Sequence, residues 1–201
     1  MTLSHTNNAL FAIIVLINGY IIAAPLIPQV VYLWDSHHSS RREQLQSFIE
    51  QPTTSASSTT ASSKITGPNR IVIPSIMLNQ ATVEDPESQW FNALYQGIWR
   101  WPGGSTPDKG GNTTFLSHRF SYTGPRGAFY YLDKVKIGDQ IGVVWNNKLY
   151  TYTVVSSQTV PPTDTTIEDN TTDSQITLFT CTPLWHPVDR LVVVAKLKGI
   201  S

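Results

Sequence analysis

A single cysteine, Cys181, closes the segment QITLFTC, and Arg190 opens the apolar run RLVVVAKL nine residues later. A thiolate attacks carbonyl carbon readily, provided a neighbouring cation favours ionisation and a nearby base carries protons. If the two segments are adjacent antiparallel strands, the last residue of one faces the first of the next, with Cα atoms about 4.5 to 5.5 Å apart. That register sets a guanidinium beside the thiol, where it can also donate hydrogen bonds to a developing oxyanion. The proton carrier is expected to be His118, in TTFLSHRF at the end of another predicted strand, with His186 of the loop TPLWHPVD as the reserve. Each residue has a plainer reading: an inert buried thiol, a strand-end charge, a hydrogen-bonded structural histidine. Thr180 precedes the cysteine, and strand alternation allows it either to line a substrate groove or to face the core.

These side chains need strands to hold them, and the sequence supplies candidates. Residues 70–73, 113–117, 128–132, 140–145, 148–156, 175–181 and 190–197 are short β-branched and aromatic runs punctuated by Pro, Gly and Asn. WNNKL at 145–149 reads as a tight hairpin, because Asn tolerates positive φ. One helix is expected, around Glu87 to Gly97. This density of strands implies an all-β closed or partly closed antiparallel barrel occupying residues 67–201. No internal repeat is visible.

Composition narrows the function further. Of 201 residues, 14 are Lys or Arg and 14 Asp or Glu, a formal net charge of zero. A balanced chain with few charges offers no basic field for phosphates, so nucleic acid is excluded as a partner. One cysteine makes no intramolecular disulfide, no multi-cysteine zinc site and no C-x-x-C redox pair.

The remainder of the chain reads as a tethering device. From Ala9 to Trp34 the sequence carries no charged side chain, long enough for a transmembrane helix, so residues 1–34 are expected to anchor the protein in a membrane. Cleavage near Ala23 and Ala24 is the competing expectation, and Pro25 and Pro28 weaken the helix's second half. Residues 35–66 form a juxtamembrane segment and a flexible linker. Within it, Leu45, Phe48 and Ile49 share one face of a short helix read as solvated, and residues 51–66 hold ten Ser or Thr in sixteen positions. His37 and His38 are adjacent, not spaced to share a metal. Arg41 and Arg42 would by the positive-inside rule keep the C-terminal part in the cytoplasm.

The motifs now support a comparison with a known family. TLFTC (177–181) with Arg190 and LVVVA behind it, GNTTFLSHR (111–119), GAFYYLDKVKIGDQI (127–141), RIVIPSIMLNQATVED (70–85) and YTVVSSQTVPPTD (152–164) together resemble a sortase, a cysteine transpeptidase of bacterial surfaces. The resemblance implies an eight-stranded antiparallel β-barrel with short helices, preceded by the transmembrane helix and linker. It further implies that Cys181 attacks an LPxTG-like sorting signal between Thr and Gly, that His118 moves protons, and that Arg190 stabilises the oxyanion. The expected partners are the sorting-signal peptide of secreted surface proteins and an amine from a peptidoglycan precursor or a pilin. The expected place is the cell membrane, single-pass, with the barrel on the extracytoplasmic side. The Gly/Pro-rich stretch 99–112 is closer to class D or E types, and no pilin-type aromatic lid precedes the barrel. Ser117 stands where many sortases have glycine before the histidine. No cofactor is expected; the loop 160–175 carries Asp164, Glu168, Asp169 and Asp173, oxygen ligands that would suit calcium, but such loop acids are usually solvated. The alternatives are a cysteine hydrolase on the same fold and a nonenzymatic peptide-binding barrel at the cell surface.

Overall fold

The computed structural model describes residues 2–23, 27, 30, 32–34, 40–50, 67–120, 126–184 and 186–201, which fall into two units, Met1–Ser40 and Arg41–Ser201. In the first unit helix α1 (Thr2–Ala23) has no acidic residue in its first turn and no basic residue in its last. Among the described residues no helix is long and apolar enough to cross a membrane. The uncharged run extends to Trp34, but parts of it, the Ala23–Ala24 junction, His37, His38 and the linker 51–66 lie outside the described residues.

The second unit is a closed eight-stranded barrel. Its strands are β1 (Arg70–Ile73), β2 (Leu78–Val83), β3 (Ile98–Arg100), β4 (Asn112–Leu116), β5 (Gln140–Trp145), β6 (Lys148–Val160), β7 (Gln175–Thr182) and β8 (Asp189–Ile200). Around the wall they run β1-β2-β3-β4-β7-β8-β6-β5, and β5 pairs with β1 to close it. The expectation of a wholly antiparallel barrel needs correction, since β2 with β3 and β4 with β7 are parallel. Parallel neighbours need a crossover connection. Between β2 and β3 that crossover includes helix α3 (Trp90–Gln96), the helix read from the sequence. Trp145 pairs with Lys148 across Asn146 and Asn147, whose φ values of 50° and 63° fit the expected hairpin.

Alternation sorts each strand's side chains between the barrel interior and its outer face. Ile71, Ile73, Phe115, Ile141, Val143, Ile176, Leu178, Leu191, Val193 and Ala195 belong to the interior cluster. β1 nonetheless reads RIVI without alternation, and its outward residue Val72 explains why. Helix α2 (Ser40–Ile49) lays Leu45 and Ile49 against Val72, while Phe48 lies under the Arg70 guanidinium at 5.5 Å. The segment read as a solvated juxtamembrane helix is thus packed on the barrel wall. Its three apolar residues are on one face as expected, and strand β1 supplies their partner.

The expected strand at 128–132 does not form. Gly127 to Lys134 instead makes successive turns, with N–H groups of Tyr130, Leu132 and Lys134 donating to carbonyls of Gly127, Phe129 and Tyr131. Phe129 and Leu132 are fully buried by these turns, so the aromatic run signals a plug for the core and not a pleated edge.

Candidate active site

The outer face of β4, β7 and β8 forms the floor of the site. β7 and β8 register Cys181 opposite Arg190 and Phe179 opposite Val192, the antiparallel pairing expected of the two segments. β4 and β7 register Leu116 beside Phe179, and two residues further along each chain stand His118 and Cys181. His118 lies just past the end of β4, and two hydrogen bonds hold it at that level. Ser117 N–H donates to the Phe179 carbonyl at 3.5 Å, and Thr180 Oγ1 donates to the Ser117 carbonyl at 2.8 Å. By parity Leu116, Phe179, Cys181, Arg190 and Val192 share the outer face, and His118 follows just past the end of β4. Leu116, Phe179 and Val192 join Val160 and Ile167 in an apolar patch beneath them.

Thr180 takes the opposite face. It is buried, 2% exposed, with its hydroxyl committed to Ser117, so it fastens the histidine segment and does not line a surface groove. Ser117 is also buried, and its Oγ donates to the Gly97 carbonyl at 2.9 Å. The serine in place of glycine therefore ties the histidine segment to the end of α3.

Cys181 is free and exposed. The His118 ring meets the Tyr95 ring edge to face at a centroid distance of 5.4 Å, and burial pushes the imidazole pKa below its ordinary value. Desolvation penalises the charged form, so the neutral imidazole is favoured. Tyr95 in turn meets Phe91, which meets Trp90, a chain of exposed rings along α3. Arg119, next to the histidine, donates to Thr182 Oγ1 at 2.9 Å and pairs with Asp133 at 3.0 Å. It thereby bridges the residues beside both His118 and Cys181.

The Arg190 guanidinium lies over the Phe179 ring, Cζ 5.1 Å from the centroid, and Nη1 stands 3.6 Å from Glu168 Oε1. Nη1 is buried without a hydrogen-bond partner among the described residues, as is Thr114 Oγ1, two positions before Leu116 on the same strand face. Buried polar atoms are nearly always paired in native proteins. His186, the reserve histidine, is exposed in the β7–β8 loop.

The acidic loop before β7 disperses its carboxylates. Glu168 faces Arg190, Asp173 pairs with Lys196 at 3.0 Å, and Asp164 accepts from the N–H of Thr166 at 3.1 Å. Among the described residues no three His, Cys, Asp or Glu side chains cluster to hold a metal. The residue that sequence reasoning missed is Asn112, which anchors this loop to β4 through the carbonyls of Ile167 and Asp169. An asparagine opening a strand reads from sequence as a turn residue, and no local signal pairs it with a loop so far along the chain.

Comparison with known proteins converges on one family. The Sortase domain model matches residues 71–198. A stretch of 65 residues is 40% identical to Sortase A of Listeria monocytogenes, covering 32% of this chain and 29% of that protein, so the matched stretch spans under a third of the curated relative. The crystal structure of Listeria monocytogenes sortase A superposes with a TM-score of 0.57 at 27% identity, over 66% of this chain and 88% of that one. The sortase D5 transpeptidase of Clostridium perfringens reaches the same TM-score at 21% identity, over 85% of this chain and 95% of that one, a likeness of fold. Sortase C-1 of Actinomyces oris gives a TM-score of 0.58 at 23% identity, over 80% and 84% of the two chains, again a likeness of fold.

Proposed function

The chain belongs to the sortase family, and on that premise we propose that it is a cysteine transpeptidase cleaving an LPxTG-like sorting signal between Thr and Gly. The observation that supports the reading is the pairing of Cys181 with Arg190 across β7 and β8, with His118 two residues beyond Leu116, the partner of Phe179. Neutral His118 takes the thiol proton, Cys181 Sγ attacks the threonine carbonyl carbon, and the carbonyl oxygen takes up the negative charge beside Arg190. One such donor is commonly worth on the order of 10² to 10³ in rate. The C–N bond to glycine then breaks, His118 gives the departing amine its proton, and a thioacyl-enzyme remains. An amine from a peptidoglycan precursor or a pilin attacks the thioester, loses a proton to His118, and displaces Sγ. Each proton transfer typically contributes about 10² to 10⁴ in rate. The chemistry is complete with these three side chains, and no cofactor is assigned a step.

The uncharged run from Ala9 to Trp34, whose first part is helical, supports a single-pass anchor, and the secreted surface substrates of the proposed reaction, against Arg41 and Arg42, favour the barrel outside the cytoplasmic membrane. Protease shaving of intact cells is expected to remove the barrel, and full protection would overturn that orientation. The Gly/Pro-rich loop 99–112 supports a class D or E type.

Incubating the protein with an LPxTG-type peptide and an amine acceptor tests the reaction. Cleavage and amine-dependent ligation are expected in the native chain and neither in Cys181→Ala; cleavage that survives the substitution would sink the proposal. Product identity with and without the amine separates transfer from hydrolysis.

A further inference from the structure

We propose that Glu168 is a positioning residue for the Arg190 guanidinium, held in place by a buried amide clamp centred on Asn112. The inference rests on the transpeptidase reading, in which Arg190 meets the oxyanion, and adds what orients that arginine.

The clamp begins on β4. Asn112 is buried, 1% exposed, and its Nδ2 donates to the carbonyls of Ile167 and Asp169 at 3.1 and 3.0 Å. Its Oδ1 accepts from Thr177 Oγ1 of β7 at 2.8 Å, and its backbone N–H donates to Asn170 Oδ1 at 3.0 Å. The residues on both sides of Glu168 are therefore fixed to the barrel wall by one fully engaged amide. Ile167 adds an apolar foothold against the Phe179, Val160 and Val192 cluster. Glu168 belongs to the short 3₁₀ turn Thr166–Glu168, and its side chain, 20% exposed, reaches Arg190.

The geometry at Arg190 is that of a bracket. The Phe179 ring lies below the guanidinium and the Glu168 carboxylate lies 3.6 Å from Nη1. That separation is short enough for attraction but too long for a hydrogen bond. The carboxylate thus aims the guanidinium through Nη1, which is itself buried and has no hydrogen-bond partner among the described residues. A partly exposed ion pair contributes little to stability, so stability alone does not account for a buried clamp dedicated to presenting it. Burial raises the Glu168 pKa, Arg190 opposes that shift, and Glu87 and Asp169 add to it.

Two measurements on the full chain decide the matter. The first needs no substrate: the Arg190 Nε–H signal in ¹⁵N spectra, identified by its loss in Arg190→Lys, reports how firmly the guanidinium is held. The second is peptide cleavage. In Glu168→Gln the Nε–H signal is expected to broaden and kcat to fall about tenfold with KM within about twofold, because the lost interaction acts at the transition state. Glu168→Asp is expected to recover part of the loss, and the thermal midpoint to remain near that of the native chain. An unchanged Nε–H signal overturns the proposal. So does a kcat loss of the same size when Glu168→Gln is combined with Arg190→Ala, since residues acting as a unit are not additive. A broadened signal in a protein whose cleavage survives Cys181→Ala leaves the positioning standing and sinks the transpeptidase reading.

Discussion

His118 is the residue whose environment most directly sets its chemistry. Packed against Tyr95 and partly buried, it has a pKa below the ordinary histidine value, with desolvation as the cause. Removing the ring should readmit water, so an NMR titration of Tyr95→Ala is expected to show the His118 pKa rising toward about 6.5. An unshifted titration would mean that the ring does not provide the desolvation. The same shift has a stability sign. Between the folded value and the unfolded value near 6.5 the unfolded chain binds more protons, so this contribution is complete above that window and lost as pH falls through it. The acid-side slope of the thermal midpoint should therefore be shallower in His118→Gln. Gly127 shapes the same residue from behind. A Cβ there would collide with the His118 carbonyl, whose oxygen also accepts from the Phe129 N–H at 3.3 Å. Gly127→Ala is expected to destabilise the fold by about 1 to 3 kcal/mol, as overpacking does, and to lower kcat by displacing the imidazole. Chemical denaturation and single-turnover cleavage would check both parts.

The elements differ in how plainly the sequence announces them. β7 and β8 were legible, with Cys181 and Arg190 in the expected register, because long β-branched runs around a short loop leave few alternative pairings. β4 and the 145–149 hairpin were equally plain. The turn run 128–134 was misread, since Ala-Phe-Tyr-Tyr-Leu satisfies strand propensity while Gly127, pressed against His118, folds it into turns. β2 is partly exposed and β3 only three residues long, and no alternation in LNQATV or IWR marks them strongly. The β6–β7 loop carried the largest surprise. Its acids read as solvated side chains, yet Asn112 pins the loop with amide hydrogen bonds, and Glu168 and Asp173 are paired with Arg190 and Lys196. These contacts are expected to order the loop without a cation. Cleavage rates with added EDTA, and with calcium restored, are expected to agree within about twofold, whereas Asn112→Ala should lower them by freeing the loop, at about 1 to 3 kcal/mol for the unmet buried partners. A rate that collapses in EDTA and returns with calcium would reject this account.

At the scale of the whole molecule the closed wall puts helix α2 and Cys181 on opposite sides of the barrel. β1 and β7 are four strands apart in either direction around the barrel, so α2, which covers Val72 on β1, lies across from Cys181. That arrangement also resolves the unbroken apolar strand RIVI: a strand buried on both faces has no polar positions to alternate. The helix supplies the second cover, which the sequence hinted at through Leu45, Phe48 and Ile49 but could not assign to a partner. If α2 is part of the fold and not a passive spacer, its loss must register in stability but not in the distant thiol. Leu45→Ala combined with Ile49→Ala in the full chain is expected to cost about 4 kcal/mol, twice the low end of about 2 kcal/mol for one large-to-small change, because the edge of a helix on a sheet admits some water. Urea unfolding measures that cost, and alkylation of Cys181 by iodoacetamide, expected to proceed within about twofold of the native rate, reports that the opposite wall is intact. A native urea midpoint in the double variant would show α2 to be only resting on the barrel. A large change in Cys181 reactivity would show instead that the two walls are coupled through the core, since the interior cluster runs unbroken from Ile71 and Ile73 to Leu178 and Val193.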